Sequence, residues 1–335
     1  MVLAFTLAAL TLGGQVSISW ILALAALSGV VNAFDIPTRQ AFAVDMVGRD
    51  DLVNAIALNS SIFNGARVLG PAIAGLLVAR IGEGWCFLVN GVSYLAVLGS
   101  LLAMRLPAPA RGAHATSAWA SVREGFVYAS RARPVRALLL LLGVVSLTGM
   151  PYVVLMPVFA REILGGGARE LGLLMGCAGV GALLGAIVLA SRRNVKGLGT
   201  FIAICAGGMG ISLIAFALSR DFRLSALLLV PVGFFVMSQM ASSNTLIQSL
   251  IPDAMRGRVM SLYAMMFMGM APIGALVAGF LAARIGAPAT LAGGGAICIG
   301  GAPLFARHLP SLRTEARQMI VELQMSPGAP PEEPT

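Results

Sequence analysis

A polar stripe inside an apolar segment is the first feature that could do chemistry. Ser60, Asn64 and Arg67 follow one another at i, i+4 and i+7, which places them on one face of a helix. A charge inside a membrane-spanning helix is costly, so this face should point to protein or to a water-filled path. Two interpretations stay open: Arg67 lines a path for a substrate, or it satisfies carbonyl groups of a neighbouring helix.

The same segment continues through Gly70, Pro71 and Gly75. Proline removes a backbone donor and small residues allow neighbouring helices to approach closely, so the pattern predicts a packed kink. Such a bend could shape a gate, or it could serve packing alone.

Other apolar segments carry further polar groups. Asp35 and Arg39 are an i, i+4 pair near the end of their segment. They are either a gating or positioning pair or a solvated pair at a helix end. The uncharged candidates, which could bind a substrate or neighbouring helices, are Asn32, Ser238, Gln239, Ser242, Ser243 and Asn244.

A group of methionines between residues 260 and 270 is a further candidate. Flexible thioethers suit varied apolar ligands, although core packing explains any single one of them. No Gly-Lys-Ser/Thr loop, nucleophile elbow or metal-binding cluster occurs in the sequence. We therefore expect neither an enzyme nor a cofactor.

The elements that carry these residues are long apolar runs. The chain is 58% hydrophobic and only 11% charged, against about 25% charged residues in a soluble domain. Continuous runs favour helices over the alternating strands of a membrane barrel. The sequence predicts an all-α membrane protein with ten spans, at 1–14, 19–38, 52–79, 85–104, 137–160, 171–190, 198–218, 224–250, 259–283 and 287–306.

An internal repeat organises these spans. The nine residues from Ala74 to Gly82 return from Ala278 to Gly286 with seven identities, at an offset of 204. A repeat of this length is typical of a transporter with two related membrane halves. We predict an N-terminal half at 1–104, a linker at 105–136, a C-terminal half at 137–307 and a tail at 308–335 with a disordered end.

The charges of the loops predict the orientation. Assigned to alternate sides, the loops carry 16 lysines and arginines on the side of the linker and 6 on the other. The positive-inside rule then places the linker and the C-terminus in the cytoplasm. The net charge of +9 is therefore interpreted as an orientation signal, and no nucleic-acid partner is expected.

Several motifs resemble those of the major facilitator superfamily, and most closely its exporter branch of transmembrane secretion effectors. The loop Pro252-Asp253-x-x-Arg256-Gly-Arg258-Val259 is one such motif, and the run from Asn32 to Ala41 is another. The sequence from Gly70 to Gly75 is similar to the antiporter motif of the fifth helix in that family.

The resemblance implies that the ten spans correspond to helices 3–12 of twelve. The chain is then a fragment, the product of a late-start gene model, or a non-transporting relative. The implied function is proton-driven export, by alternating access, of amphipathic small molecules such as siderophores or drugs. The implied setting is a monomer in the bacterial inner membrane, in contact with the lipid bilayer. The alternatives are a membrane scaffold without transport and, as a third class, a membrane-embedded enzyme.

Overall fold

The computed structural model describes residues 1–47, 62, 66, 70, 73–75, 77–104, 118–192 and 197–325. Within these ranges the chain is built of helices and short connections, and no described residue lies in a β-strand. The helices are α1 (Val2–Leu12), α2 (Ile18–Val47), α3 (Glu83–Ala103), α4 (Ala118–Arg131), α5 (Arg133–Thr148), α6 (Tyr152–Val158), α7 (Ala168–Ala190), α8 (Leu198–Leu218), α9 (Phe222–Ser249), α10 (Asp253–Ala264), α11 (Met270–Ile285) and α12 (Ala287–Met325). Two π-helical turns, Phe159–Ile163 and Met265–Gly269, extend α6 and join α10 to α11.

Seven helical segments of the described chain are long and apolar enough to cross a membrane. They are Glu83–Ala103, Arg133–Ile163, Ala168–Ala190, Leu198–Leu218, Phe222–Ser249, Met255–Ile285 and Ala287–Arg307. Two shorter apolar helices, Val2–Leu12 and Ile18–Asn32, precede them. The third predicted span falls mostly outside the described residues, so the count of ten stays a prediction.

The chain divides into two compact units. One unit comprises residues 1–113 with 167–173, and the other comprises 114–166 with 174–335. In the first unit α1 packs on α3, where a Cβ atom added to Gly91 would lie 2.8 Å from the ring of Phe5. In the second unit α8 packs against both α9 and α12. The predicted boundaries of the halves stay predictions, because residues 105–117 lie outside the described ranges.

The core of the second unit is made by apolar side chains from several helices. Phe159 and Phe216 are fully buried, and their ring centroids lie 4.7 Å apart. Glycines bring the helices into close contact: a Cβ atom at Gly295 of α12 would lie 2.7 Å from the carbonyl oxygen of Gly210 in α8. Helix packing in a membrane relies on such small residues, since lipid tails are as apolar as leucine.

The two copies of the repeat share their local backbone geometry. Gly82 and Gly286 each form a one-residue connection between helices, with φ/ψ of 80°/167° and 85°/152°. Each glycine donates its N–H to the carbonyl four residues earlier at 3.0 Å, and each accepts from the N–H four residues later. A positive φ is open to glycine without steric cost. The Arg-Ile-Gly sequence therefore marks the same kind of turn in both copies of the repeat.

Helix α2 is longer than the sequence predicts. The expected span ends near residue 38, whereas the helix continues to Val47 and includes Pro37. The uncharged part of the helix ends earlier, because Asp35 is its first charged residue. Proline removes one backbone hydrogen bond but does not stop a helix whose remaining groups are satisfied, as is common in membrane helices.

Candidate functional site

The polar stripe predicted around Arg67 cannot be placed. Ser60, Asn64, Arg67 and Pro71 all lie outside the described residues, so their roles remain predictions.

The glycines that follow that stripe serve close packing. Gly75 is buried, and a Cβ atom there would lie 2.6 Å from the Cα of Gly172 and 2.8 Å from the carbonyl oxygen of Ala168. Both partners belong to the first turns of α7 and to the same unit. Gly70 is half-buried, with open space where its side chain would be. The contact at Gly75 favours the packing interpretation for this residue.

The polar residues of α2 lie at the end of its apolar part. Asn32 and Asp35 are exposed. Arg39 belongs to the same helix, although its side chain is outside the described part of the structure. The helix continues beyond this point, so the pair of Asp35 and Arg39 lies within α2 rather than at its end.

The uncharged polar residues of α9 form one compact, fully buried face, which we call the α9 cluster. It consists of Ser238, Gln239, Ser242 and Ser243, each exposed by 1% or less. Ser238 and Ser242 are one turn apart, as are Gln239 and Ser243, so two adjacent rows run along one side of the helix. Asn244, the fifth predicted member, is half-buried and accepts a hydrogen bond from the Gln248 amide. It is therefore already engaged within the helix.

Three neighbouring helices contact this part of α9. A Cβ atom at Gly185 of α7 would lie 2.8 Å from Ser238 Oγ, so that hydroxyl faces α7. The Cys205 thiol of α8 is near the same hydroxyl but does not have the geometry of a hydrogen bond to it. From α10, Tyr263 donates its hydroxyl to the carbonyl oxygen of Met240 at 2.9 Å. Glycine on α7 permits this close packing, and the tyrosine fixes α10 against α9.

The α9 cluster lacks hydrogen-bond partners. The hydroxyls of Ser238, Ser242 and Ser243 and the Gln239 amide nitrogen are buried with no partner among the described residues. The Ser146 hydroxyl on α5 is likewise buried without a hydrogen-bond partner among the described residues. Each such group costs about 1–3 kcal/mol when it is left unpaired. A group of five in one unit is therefore an energetic anomaly, and it marks a place where polar atoms should find other partners.

Ser146 lies at the depth of the cluster. A helix rises about 1.5 Å per residue. Along the helix axes, Ser146 is therefore about 20 Å from the start of α5, and Ser238 is about 17 Å from the end of α9. Helices α5 and α9 are in contact, and they are the first and fourth of four successive spans. The two ends are thus at the same membrane face, and both residues lie near mid-span.

The repeat relates the α9 cluster to the charged residues of α2. An offset of 204 pairs Gly29 with Gly233, Asp35 with Gln239, and Arg39 with Ser243. Two of the polar residues on α2 thus carry charge where their counterparts on α9 are neutral.

The predicted motif after α9 packs against the linker. Arg258 forms an ion pair with Glu124 of α4 and donates a hydrogen bond to Met255 Sδ. Arg256 is exposed and takes part in a polar interaction, whereas Asp253 lies in α10 with its side chain outside the described part. A Cβ atom at Gly125 of α4 would lie 2.6 Å from the Arg258 carbonyl oxygen. Arg258 therefore holds the linker helix in place.

Sequence reasoning missed Ser146 and Glu124. A serine within the leucine-rich run of α5 is a signal that could have identified the first. Glu124 carries no such signal, since its role depends on a partner far along the chain. Among the described residues, no three side chains of the metal-binding types lie together. What the α9 cluster offers chemically is hydrogen bonding without charge.

Comparison with known sequences gives a consistent result. The family model described as "Transmembrane secretion effector" matches residues 1–329. The staphyloferrin A transporter of Staphylococcus aureus is 25% identical over 267 residues, which cover 78% of this chain and 65% of that protein. The multidrug efflux pump Tap of Mycolicibacterium fortuitum is 27% identical, with 80% and 67% covered. The enterobactin exporter EntS of Shigella boydii is 26% identical, with 76% and 61% covered. The chain spans about two thirds of the length of these relatives.

The fold is similar to that of a solved transporter. The structure of a bacterial homologue of the human lysosomal transporter Spinster, inward-facing and unoccupied, superposes with a TM-score of 0.59. The identity is 16%, and the match covers 98% of this chain and 84% of the other. The chain is thus a multi-pass membrane protein, and it belongs to the transmembrane secretion effector family of the major facilitator superfamily of transporters.

Proposed function

We propose that the protein is a secondary exporter of amphipathic small molecules, driven by protons and working by alternating access. The observation that carries the proposal is the α9 cluster: four buried, unpaired polar groups within an apolar span. The relatives include proteins named for siderophore and drug export. Siderophores and many drugs present both polar and apolar surfaces, which a neutral hydrogen-bonding face amid apolar side chains would suit.

The cluster suggests how binding is coupled to movement. In the described packing each unpaired group costs about 1–3 kcal/mol. A state that exposes Ser238, Gln239, Ser242 and Ser243 to water or to the polar part of a substrate removes that cost. The same residues thus oppose the closed packing and favour an opened one, which keeps the two states close in free energy. Alternating access requires such a balance.

Asp35 is our candidate for the proton-carrying group. It is the first charged residue of α2, and the repeat pairs it in sequence with Gln239 of the α9 cluster. A carboxyl group can take up and release a proton, whereas its amide counterpart cannot. We propose that this difference lets one half respond to the proton gradient while the other supplies neutral hydrogen bonds.

The test uses the full chain in liposomes with an imposed pH gradient and a fluorescent amphipathic probe. Asp35→Asn should abolish gradient-driven transport but keep exchange of the probe at equal pH. Gln239→Leu should reduce both, since it removes a hydrogen-bonding group rather than a titrating one. Wild-type protein that folds but moves no probe under either condition would favour the non-transporting alternatives.

We further propose that the linker and the C-terminus face the cytoplasm of the bacterial inner membrane. The support is the 16-to-6 distribution of basic residues in the loops. Reporter fusions at Ala115 and at the C-terminus should report a cytoplasmic location, and a fusion at Gly166 an external one. A reporter at Ala115 that is reached only from outside would reverse the orientation.

A further inference from the structure

A groove lies where the linker helix meets the start of α10. Its volume is about 640 Å³, and its lining includes Arg123, Val127, Tyr128 and Arg131 of α4 with Met255 of α10. This volume is within the range of about 300–1,000 Å³ that small-molecule sites occupy. All of these residues belong to one compact unit.

The groove is located at a membrane surface. Arg131 is two residues before Arg133, the first residue of the apolar span Arg133–Ile163. On the opposite wall, Met255 is the first residue of the span Met255–Ile285. Two spans therefore begin at the groove, and they enter the membrane from the same face. A ligand held there would be at the level of the lipid headgroups.

The charges of the groove favour an anion. Arg123 and Arg131 lie two helical turns apart, both are exposed, and neither has an ion pair or hydrogen bond among the described residues. The acidic residue of the lining, Glu124, is already paired with Arg258. Two positive charges are thus available to a ligand, while the acidic residue of the described lining is paired.

The remaining lining favours a ligand with an apolar part. Val127 is 39% exposed on the surface between the two arginines, and the adjacent Phe126 is 61% exposed. Burial raises the pKa of Tyr128 above that of a free tyrosine, so its hydroxyl remains a neutral hydrogen-bond donor at physiological pH. Two cations, a donor and exposed apolar side chains at headgroup depth match a phosphate ester attached to acyl chains.

We propose that this groove binds the headgroup of an anionic phospholipid, with Arg123 and Arg131 at the phosphate and with Val127 and Met255 against the glycerol and upper acyl chain. Basic pockets beside membrane helices are known to hold such headgroups. The proposal stands apart from the proposed transport activity, because it concerns binding to the linker and not to the α9 cluster.

The experiment is a binding titration on the full chain in detergent, with short-chain phosphatidylglycerol as the probe and thermal stabilisation as the signal. A basic residue near a membrane surface contributes about fivefold in affinity, so Arg123→Gln and Arg131→Gln should each weaken binding about fivefold and together about thirtyfold. The matched control variant replaces two exposed arginines, Arg161 and Arg223. Each lies at the end of its span that is on the other membrane face from the groove. This double variant should bind as tightly as wild type.

Three results would each overturn the proposal. The first is equal binding by the double variant and its control, and the second is equal stabilisation by short-chain phosphatidylcholine, which carries no net charge. The third is stabilisation by inorganic phosphate as strong as that by the lipid, since it would mean that the acyl part contributes nothing. None of these results depends on transport, so the binding proposal can fail while the transport proposal survives.

Discussion

Removing one buried hydroxyl should make this protein more stable and less active. Ser242 is fully buried, and its hydroxyl has no hydrogen-bond partner among the described residues. Ser242→Ala deletes the unpaired group and leaves almost the same shape, so it removes a desolvation cost of about 1–3 kcal/mol. With about 2–4 °C per kcal/mol for larger domains, the melting temperature should rise by roughly 2–12 °C. Transport per folded molecule should fall, because in the proposed mechanism the open state uses this hydroxyl.

The assay is thermal unfolding of the purified chain in one detergent, paired with transport in liposomes normalised to folded protein. Ser225→Ala is the matched control on the same helix. Its hydroxyl is equally buried but donates to Ser219 Oγ at 2.8 Å, so its loss should lower stability by about 1 kcal/mol. A lower melting temperature for Ser242→Ala would show that its hydroxyl is paired and would refute the reasoning. A stabilised variant with normal transport would remove the α9 cluster from the substrate site.

Two further predictions concern the linker and the undescribed stripe. Gly125→Val should detach α4, because even a Cβ atom there would lie 2.6 Å from the Arg258 backbone oxygen. The substitution should lower the free energy of unfolding by about 1–3 kcal/mol, measured by thermal unfolding. Gly279→Val is the control and should be nearly neutral, because no neighbouring atom lies within 4 Å of its Cβ position. Equal losses of stability in the two variants would argue against the contact between Gly125 and Arg258. Arg67→Ala should abolish transport at nearly normal membrane abundance if Arg67 lines the path, and Arg67→Lys should keep part of it. Normal turnover in Arg67→Ala would exclude it from the site.

Seven of the ten predicted spans correspond to helical segments of the described chain that are long and apolar enough to cross a membrane, because their signal is local. A run of apolar residues long enough for the bilayer has few alternatives to a helix. The repeat is equally local, and the matching backbone angles at Gly82 and Gly286 confirm that its Arg-Ile-Gly sequence marks one kind of turn. The family could also be named from short motifs, and comparison with known sequences confirms it.

The features that escaped prediction depend on distant neighbours. The polar residues of α9 were identified, but their lack of partners depends on α5, α7, α8 and α10 packing around them, which no local pattern encodes. The contact between Glu124 and Arg258 joins the linker to α10 in the same way. The length of α2 also differs from the predicted span, because the helix continues past the first charged residue, Asp35, to Val47.

The single-glycine turns at Gly82 and Gly286 bear on how the chain enters the membrane during synthesis. Because each connection is one residue long, the helix before it and the helix after it must enter the membrane at nearly the same time. Each pair should partition into lipid as one hairpin and, with the linker in the cytoplasm as we propose, should carry Arg80 or Arg284 across together with its turn. The cost of translocating that arginine is then met by two apolar helices rather than one. The turn geometry that the two copies share thus defines a helix pair that inserts into the membrane together as well as a structural motif.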